Sequence, residues 1–379
     1  MTPEQFHTLF HRVRDELAKV VVGQHTAVEH LLVAIYAGGH VLLRGMPSLG
    51  RTLLVNTLAQ VMGLDYRRIQ FTPDLLPTDI IGTEMLENHV ATGSRLFRFF
   101  KGPVFANLVL VDEINRSPTR TQSALLETMQ ERQVTAGGRT HFLPKPFILV
   151  ATENSLDTEG IWRLGEAQLD RFMLSIEQHY PDADDERRIL RTTTGSDQPH
   201  VNQVTDPATI LAMQSLARDV PVVPSVRDFA LAIVRGSRPG EGTSDRSLGG
   251  CEDLSRDREG AVVSSGKPPL PHGRGSKTSK SLGASVRLGA SPRAAQALLL
   301  GAKVTALARG RTHVVPQDVV DVAAPVMRHR VLLDVQAQAE GFTVDQLLGT
   351  LLDDARKRYV ASRDDDRHGV MRILEAPRI

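Results

Sequence analysis

One short loop constrains this chain more than any other part of its sequence. Residues 41–43, Val-Leu-Leu, have the apolar composition of a buried strand, and Gly45-Met46-Pro47-Ser48-Leu49-Gly50-Arg51-Thr52 follows them. An amphipathic helical pattern then starts at Leu53. The glycine spacing fits G-x-x-x-x-G-K-[ST], with Arg51 in the place of the lysine. A strand, a loop with a glycine at each end and a helix, in this order, predict a phosphate-binding loop.

The residue types in this loop suit the binding of a phosphate group. Gly45 and Gly50 allow the backbone to wrap closely around an anion with its amide groups pointing inward. The N-terminus of the following helix presents unpaired amides and a partial positive charge to the same anion. Arg51 adds a full positive charge, and the Thr52 hydroxyl is a candidate ligand of Mg²⁺. Residues 45–53 are therefore the candidate nucleotide-binding segment.

Two carboxylates follow a second apolar run. Residues 108–111, Leu-Val-Leu-Val, lead directly into Asp112 and Glu113, and the run 147–152 leads to Asn154. In a phosphate-loop protein Asp112 is a candidate ligand of Mg²⁺, and Glu113 is a candidate general base for an attacking water. Asn154 would orient that water or the terminal phosphate. Each residue alone is also typical of an ordinary surface turn, but their combination downstream of a phosphate loop favours a site.

Strand-length and helical patterns alternate in the first half of the chain. The apolar runs mostly lack polar alternation, which predicts strands covered on both faces of a parallel sheet. The fold class is therefore α/β, a parallel-sheet core with helices on both faces. Residues 132–142 instead predict a β-hairpin that turns at Gly137-Gly138. We predict a nucleotide-binding core at 1–180, a small all-helical domain at 181–236 and 286–355, and a C-terminal tail at 356–379.

The stretch 237–285 interrupts the helical domain. It contains no aromatic residue and is dominated by Gly, Ser, Pro, Lys, Arg and Asp. This composition buries too little apolar surface to offset the entropy of ordering, which predicts disorder. Leu-Gly-Ala-Ser occurs at 282–285 and again at 288–291, a duplication typical of an insertion. A regulated or partner-binding loop and a tolerated surface insertion both stay open, with the second favoured.

Overall composition limits the classes of function. The 379 residues include 45 Lys plus Arg and 44 Asp plus Glu, a net charge of +1, so there is no long-range attraction for nucleic acid. The single cysteine excludes an internal disulfide, and no apolar run reaches the roughly 18 residues of a membrane span. We expect a cytoplasmic protein with no membrane span and no nucleic-acid partner. The run Arg328-His329-Arg330 is expected to be solvated.

A series of motifs extends across most of the chain, from about residue 17 to about residue 333, outside the inserted stretch. They are Val22-Gly23-Gln24, Phe71-Thr72-Pro73-Asp74-Leu75-Leu76-Pro77, Lys101-Gly102-Pro103-Val104-Phe105-Ala106-Asn107, Asp112-Glu113-Ile114-Asn115-Arg116, Gln122-Ser123-Ala124-Leu125-Leu126-Glu127, Met129-Gln130-Glu131-Arg132, Glu166-Ala167-Gln168-Leu169-Asp170-Arg171-Phe172 and Gly289-Ala290-Ser291-Pro292-Arg293. Together with the phosphate loop, this set resembles the AAA+ ATPases and, more closely, their MoxR family.

The resemblance implies roles that composition does not assign. Asp112 and Glu113 look like the Walker B pair, Asn154 like sensor 1 and Arg293 like sensor 2. Arg171 looks like the arginine finger, which reaches the nucleotide of a neighbouring subunit. The implied nucleotide is ATP with Mg²⁺, and the implied assembly is a homo-oligomeric ring, usually a hexamer. ATP hydrolysis would drive chaperone-like remodelling or maturation of a client protein, whose identity no residue here reveals.

The chain departs from the family pattern in four places. Arg51 replaces lysine, Ser48 stands where glycine is usual, Ser155 stands where proline is usual, and the helical domain carries the insertion. Arg51 keeps the charge of lysine but not its compact shape. Two hypotheses therefore stay open: an ATPase with chaperone-like activity, and a ring-forming nucleotide-binding scaffold with weak or no hydrolysis. A DNA helicase is a distant third, because the sequence carries no nucleic-acid-binding motif.

Overall fold

The structure is a computed structural model that describes residues 1–46, 48–88, 95–154, 161–195, 199–239 and 285–374. Its helices are α1 (Pro3–Leu17), α2 (His25–Ala37), α3 (Arg51–Met62), α4 (Pro77–Ile81), α5 (Thr119–Glu131), α6 (Glu166–Leu169), α7 (Ala183–Thr194), α8 (Pro207–Asp219), α9 (Pro224–Gly236), α10 (Pro292–Ala308), α11 (Pro316–Met327), α12 (Val335–Ala339) and α13 (Val344–Leu374). Its strands are β1 (Val41–Gly45), β2 (Tyr66–Gln70), β3 (Gly82–Asn88), β4 (Arg95–Lys101), β5 (Leu108–Asp112), β6 (Gln133–Ala136), β7 (Arg139–Phe142), β8 (Ile148–Asn154), β9 (Leu174–Gln178), β10 (Val286–Leu288) and β11 (Leu332–Leu333).

A five-stranded parallel sheet forms the centre of the first half of the chain, as predicted. Its strands lie in the order β2-β5-β8-β1-β9, and every neighbouring pair is parallel. At the end of β1, Gly45 lies beside Asn154 of β8 and Gln178 of β9. Because all five strands run in one direction, their carboxyl ends meet at one edge of the sheet, where ligands of open α/β folds bind.

Both faces of the sheet are buried along β1, β5 and β8, which explains their uninterrupted apolar runs. Along β1, Val41 and Leu43 join a core formed with α1, α2 and α3, whereas Leu42 joins a second core formed with α5. Successive side chains of a strand point to opposite faces, so a strand covered on both sides needs apolar residues throughout. The predicted α/β class, with helices on both faces of a parallel sheet, is confirmed.

Two antiparallel hairpins interrupt the alternation of strands and helices. β6 pairs with β7, and the turn residues Gly137 and Gly138 have φ angles of 54° and 71°. The hairpin predicted at 132–142 is therefore present. The second hairpin pairs β3 with β4. Each hairpin carries an exposed aromatic side chain, Phe97 at 73% and Phe142 at 74% exposure.

Helices dominate the chain after β9, as the helical spacing predicts. α10 starts at Pro292 and is capped by Ser291, whose hydroxyl accepts the amide hydrogen of Arg293 at 3.1 Å. α8 and α10 both pack against α2, so the helical part rests on the sheet domain. Most of the predicted insertion, residues 240–284, lies outside the described residues, as does Ser155. The domain boundaries at 180, 236 and 285 stay predictions.

The charged run Arg328-His329-Arg330 is not solvated, and this expectation is wrong. His329 and Arg330 are only 4% and 6% exposed, because the chain after α11 packs against the segment before β9. Burial lowers the pKa of both side chains. Arg330 uses all five N–H groups of its guanidinium in hydrogen bonds to Asp170, Phe172, Met173 and Val326. The partners of this buried charge lie far away in the sequence, so the local pattern does not reveal its burial.

α13 passes through the start of the predicted C-terminal tail. The helix packs on α9, and the ring centroids of Tyr359 and Phe229 are 5.8 Å apart. The tail boundary at 356 therefore falls inside a helix that continues to Leu374. Within the described part of the chain, no helix has the length and apolar character needed to cross a membrane.

Candidate functional site

The loop after β1 begins at a position that requires glycine. Gly45 has a φ of 134°, a conformation that L side chains rarely adopt. A Cβ at this position would lie 2.4 Å from the carbonyl oxygen of Gln178 on β9. Both the backbone angle and the close approach exclude a side chain, so Gly45 fixes where the loop leaves the sheet.

Two more residues of the loop adopt a left-handed backbone. Ser48 has a φ of 65° and Gly50 a φ of 71°. This conformation costs an L residue about 1–2 kcal/mol, and glycine adopts it freely. Ser48 therefore occupies a strained position that glycine would fill without strain, in agreement with the family pattern.

The start of α3 exposes polar groups to a ligand. Thr52 and Leu53 are exposed in the first turn, whereas Met46 and Leu49 are half-buried in the loop. Pro47 lies outside the described residues. The first amides of a helix have no acceptor within the helix, so together with the helix dipole they suit an anion such as phosphate.

Arg51 joins the loop to the ends of two strands. The residue is 9% exposed, and its Nε donates to Gln178 Oε1 at 3.0 Å. Nη1 donates to the carbonyl oxygen of Glu153 at 3.3 Å, and Nη2 donates to that of Met46 at 3.1 Å. Burial lowers the pKa of Arg51, while the charges of Asp112 and Glu113 oppose this effect. An arginine in a protein stays protonated at neutral pH, so the loop keeps its positive charge.

An arginine accompanies each carboxylate at the end of β5. Arg68 Nε donates to Asp112 Oδ2 at 2.6 Å, and Arg116 Nε lies 3.1 Å from Glu113 Oε2. Gln70 Nε2 also donates to Glu113 Oε2, at 3.0 Å. Asp112 is 7% exposed, so its negative charge would be costly without such a partner. Each negative charge of the site is therefore paired with an arginine.

Thr152 links the two carboxylate residues. Its hydroxyl donates to Asp112 Oδ1 at 3.3 Å and accepts the amide hydrogen of Glu113 at 2.9 Å. Glu113 has a φ of 56°, which is strained for a side chain of this size. Strained backbone of this kind persists where neighbouring groups hold it, and it concentrates at functional sites. The hydroxyl of Thr152 is one such neighbouring group.

Asn154 completes the set at the sheet edge. It ends β8 beside Gly45, is 9% exposed, and its backbone carbonyl accepts from Asn115 Nδ2 at 3.2 Å. The structure therefore brings the phosphate loop, the Asp112-Glu113 pair and Asn154 to the same edge of one sheet.

The two arginines that the resemblance singled out make other contacts. Arg171 Nη1 donates to the carbonyl oxygen of Leu126 on α5 at 2.9 Å. The side chain of Arg293 is 48% exposed, and its Nη1 lies 3.7 Å from Asp170 Oδ2. In these contacts the two side chains meet α5 and Asp170, not the phosphate loop.

Arg68, Thr152 and Gln178 belong to the site but are missing from the sequence-based predictions. A signal existed for two of them, because Thr152 ends the apolar run 147–152, two residues before Asn154, and Gln178 lies two residues after the mostly apolar run 172–176. The carboxyl ends of parallel strands share one edge, so these positions were candidates. Arg68 had no such signal, since β2, Tyr-Arg-Arg-Ile-Gln, contains no apolar run.

Comparison with known proteins then establishes the family. Residues 40–174 match the ATPase family associated with various cellular activities (AAA), and residues 282–350 match the AAA lid domain. Chaperone MoxR1 of Mycobacterium tuberculosis (strain ATCC 25618 / H37Rv) is 37% identical over 372 residues, which are 98% of this chain and 88% of that protein. The chain belongs to the MoxR family of AAA+ ATPases.

Other relatives of this MoxR-family chain agree. Protein MoxR of Paracoccus denitrificans is 28% identical over 333 residues, 86% of this chain and 90% of that one. A crystal structure at 2.00 Å of a Cytophaga hutchinsonii protein, provisionally named an ATPase, matches with a TM-score of 0.76 and 36% identity. The match covers 93% of this chain and 95% of that one. The resemblance drawn from the motifs is confirmed, and so is the fold of an α/β core followed by a helical lid.

Proposed function

We propose that this MoxR-family protein binds ATP with Mg²⁺, hydrolyses it, and uses the energy to remodel or mature a client protein in the cytoplasm. One observation carries the proposal. The phosphate loop, two carboxylates and a polar side chain at Asn154 lie at the same edge of a parallel sheet. These groups serve three needs of phosphoryl transfer to water: holding the phosphates, holding a cation and directing the nucleophile.

The phosphates would be held by the loop from Gly45 to Thr52. The amides at the start of α3 and in the loop would donate to the phosphate oxygens, with Arg51 supplying the positive charge. Gly45 and Gly50 keep this segment free of side chains where the backbone approaches the anion. Leu53, exposed next to the loop, would contact the rest of the nucleotide.

Thr52 and Asp112 fit a Mg²⁺ site. Both offer oxygen donors, and Mg²⁺ is commonly held by one or two carboxylates together with substrate phosphates and water. When bound, Mg²⁺ neutralises charge on the phosphates during transfer. The Arg68 side chain that now pairs with Asp112 is 49% exposed, so it can move into solvent at little cost when Asp112 takes another partner.

Glu113 is the proposed general base. Its carboxylate would take a proton from the attacking water while the oxygen of that water bonds to the terminal phosphorus and the bond to the ADP oxygen breaks. Asn154 would orient the water or the terminal phosphate. Arg293 from the lid and Arg171 from a neighbouring subunit would stabilise the charge that develops on the transferred group.

A homo-hexameric ring is part of the proposal, because Arg171 would act on a neighbour's nucleotide. The relative from Mycobacterium tuberculosis carries the name chaperone, which supports a client protein rather than a nucleic acid. In light scattering with ATP and Mg²⁺, we expect a particle of six times the 41.6 kDa chain mass. A monomer at all concentrations would contradict the ring.

Equilibrium binding of fluorescently labelled ATP to the full chain tests the proposed site. We expect binding that tightens on addition of Mg²⁺, and Asp112→Asn should remove that Mg²⁺-dependent gain because it removes a carboxylate ligand. Asp65→Asn, at a side chain that is 54% exposed, is the matched control and should bind like the parent. Failure of the parent to bind labelled ATP would sink the proposal. Binding without turnover would instead support the scaffold hypothesis.

A further inference from the structure

We propose that Gln178 is a positioning residue for Arg51, and that the Arg51–Gln178 pair replaces the usual loop lysine in binding phosphate. Gln178 is 3% exposed and is the last residue of β9, directly beside Gly45. Its Oε1 accepts from Arg51 Nε at 3.0 Å. This assignment rests on the proposed nucleotide site and adds to it a residue and a reason for the arginine.

The Gln178 amide has one orientation that satisfies its neighbours. A guanidinium only donates hydrogen bonds, so Gln178 must turn its oxygen toward Arg51. Its Nε2 then donates to Gln24 Oε1 at 3.3 Å. If the amide were flipped, Gln178 Nε2 would face Arg51 Nε, and two donors cannot form a hydrogen bond with each other. Gln24, which belongs to the Val22-Gly23-Gln24 motif, therefore helps to hold Gln178 in the orientation that Arg51 needs.

Among the described residues, the contacts of Arg51 leave two N–H groups for a ligand. A guanidinium has five N–H donors, and three of them bond to Gln178, to the Glu153 carbonyl and to the Met46 carbonyl. Beyond these bonds Nη1 and Nη2 each carry one more N–H. Because the group is planar and rigid, three fixed donors also fix the directions of the other two. Two N–H groups held in this way suit the oxygens of a phosphate.

A lysine at position 51 would not reproduce this arrangement. An ammonium has three N–H donors on a flexible stem. The three acceptors that now surround Arg51 would compete for all of them, at the expense of the phosphate. We therefore infer that the arginine is matched to its surroundings in this chain, and that Arg51→Lys weakens nucleotide binding instead of restoring it.

Binding of labelled ATP to the full-length chain tests the pair. Gln178→Met keeps the length of the side chain but removes the acceptor, and we expect Kd for ATP to rise about tenfold, the loss of roughly one oriented charge-assisted hydrogen bond. Arg51→Lys should weaken binding to a similar extent. The double variant should bind no more weakly than Arg51→Lys alone, because Gln178 acts through Arg51. Gln336→Met, at an exposed glutamine on α12, is the matched control and should leave Kd unchanged.

Two further measurements separate positioning from general damage to the fold. The effect of Gln178→Met should be large for ATP and small for AMP, since only the outer phosphates meet Arg51. Gln24→Met should weaken ATP binding in the parent but not in chains that already carry Gln178→Met. Equal effects on ATP and AMP, additive losses in the double variant, or tighter binding by Arg51→Lys than by the parent would each overturn the inference. A parent that binds no ATP would overturn the proposed function itself.

Discussion

His40, the residue just before β1, makes the stability of this protein depend on pH. The imidazole is 7% exposed, and its Nδ1 accepts the amide hydrogen of Leu149 at 3.0 Å, which requires that nitrogen to be unprotonated. Burial and, secondarily, the charge of Arg132 lower the pKa of His40 from its usual 6.5 to about 3. The folded protein therefore keeps the His40 imidazole neutral at pH values at which the unfolded chain protonates it.

The sign and size of the effect follow from this difference. Between pH 6.5 and pH 3 the unfolded chain binds more protons at His40 than the folded chain, so the free energy of unfolding falls as the pH falls. Above pH 6.5 the ring is neutral in both states, and the contribution is complete. At about 1.4 kcal/mol per pH unit, acidification to about pH 5 removes roughly 2 kcal/mol.

Urea unfolding at about pH 7.5 and about pH 5 measures this contribution. His40→Asn keeps an acceptor for the Leu149 amide but does not titrate, so the parent should lose about 2 kcal/mol more than this variant on acidification. His313→Asn, at an exposed histidine, is the control and should lose as much as the parent. His329 contributes equally to parent and variants, so the comparison isolates His40. Equal losses in the parent and in His40→Asn would show that His40 does not cause this pH dependence.

Three other changes test the loop and the carboxylates. Gly45→Ala would place a Cβ 2.4 Å from the Gln178 carbonyl oxygen and distort the loop, so labelled ATP should no longer bind. The far-UV circular dichroism should stay that of the parent, and retained ATP binding would contradict the loop geometry. Ser48→Gly removes a left-handed serine and should raise the free energy of unfolding in urea by about 0.5–1 kcal/mol, after the extra entropy of a glycine is subtracted; a decrease would show that the serine is not strained. Thr152→Val removes the hydroxyl that contacts Asp112 and Glu113, so kcat should fall about tenfold or more while the Kd of ATP changes little. Equal changes in kcat and in Kd would contradict a role of Thr152 in positioning Glu113.

The sequence predicts the parts of the site that are contiguous. The phosphate loop, the Asp112-Glu113 pair and Asn154 each follow a recognisable apolar run, and parallel strands bring their ends together. The helical lid and the hairpin at Gly137-Gly138 can also be predicted from the sequence, because caps, turns and periodicity depend on residues that are close together in the chain.

The parts that the sequence does not predict depend on distant partners. Arg51 and Gln178 are 127 residues apart, and Arg330 and Asp170 are 160 apart. A charged residue is usually solvated, so only the tertiary structure shows that these two arginines are buried and which acceptors satisfy them. β2 is similar, because an edge strand that is half exposed needs no apolar run.

ATP turnover by the purified full chain tests whether this protein is an ATPase. Phosphate release would be measured for the parent, for Glu113→Gln and for Arg51→Lys with saturating ATP and Mg²⁺. We expect the parent to hydrolyse ATP, and we expect the loss of the general base in Glu113→Gln to slow this reaction by about 10²-fold or more. When the ATP concentration is varied instead, Arg51→Lys should need more ATP than the parent to reach half its maximal rate, because lysine lacks the fit to Gln178. If the parent hydrolyses ATP no faster than Glu113→Gln while Arg51→Lys is active, the protein is a nucleotide-binding scaffold and not an ATPase.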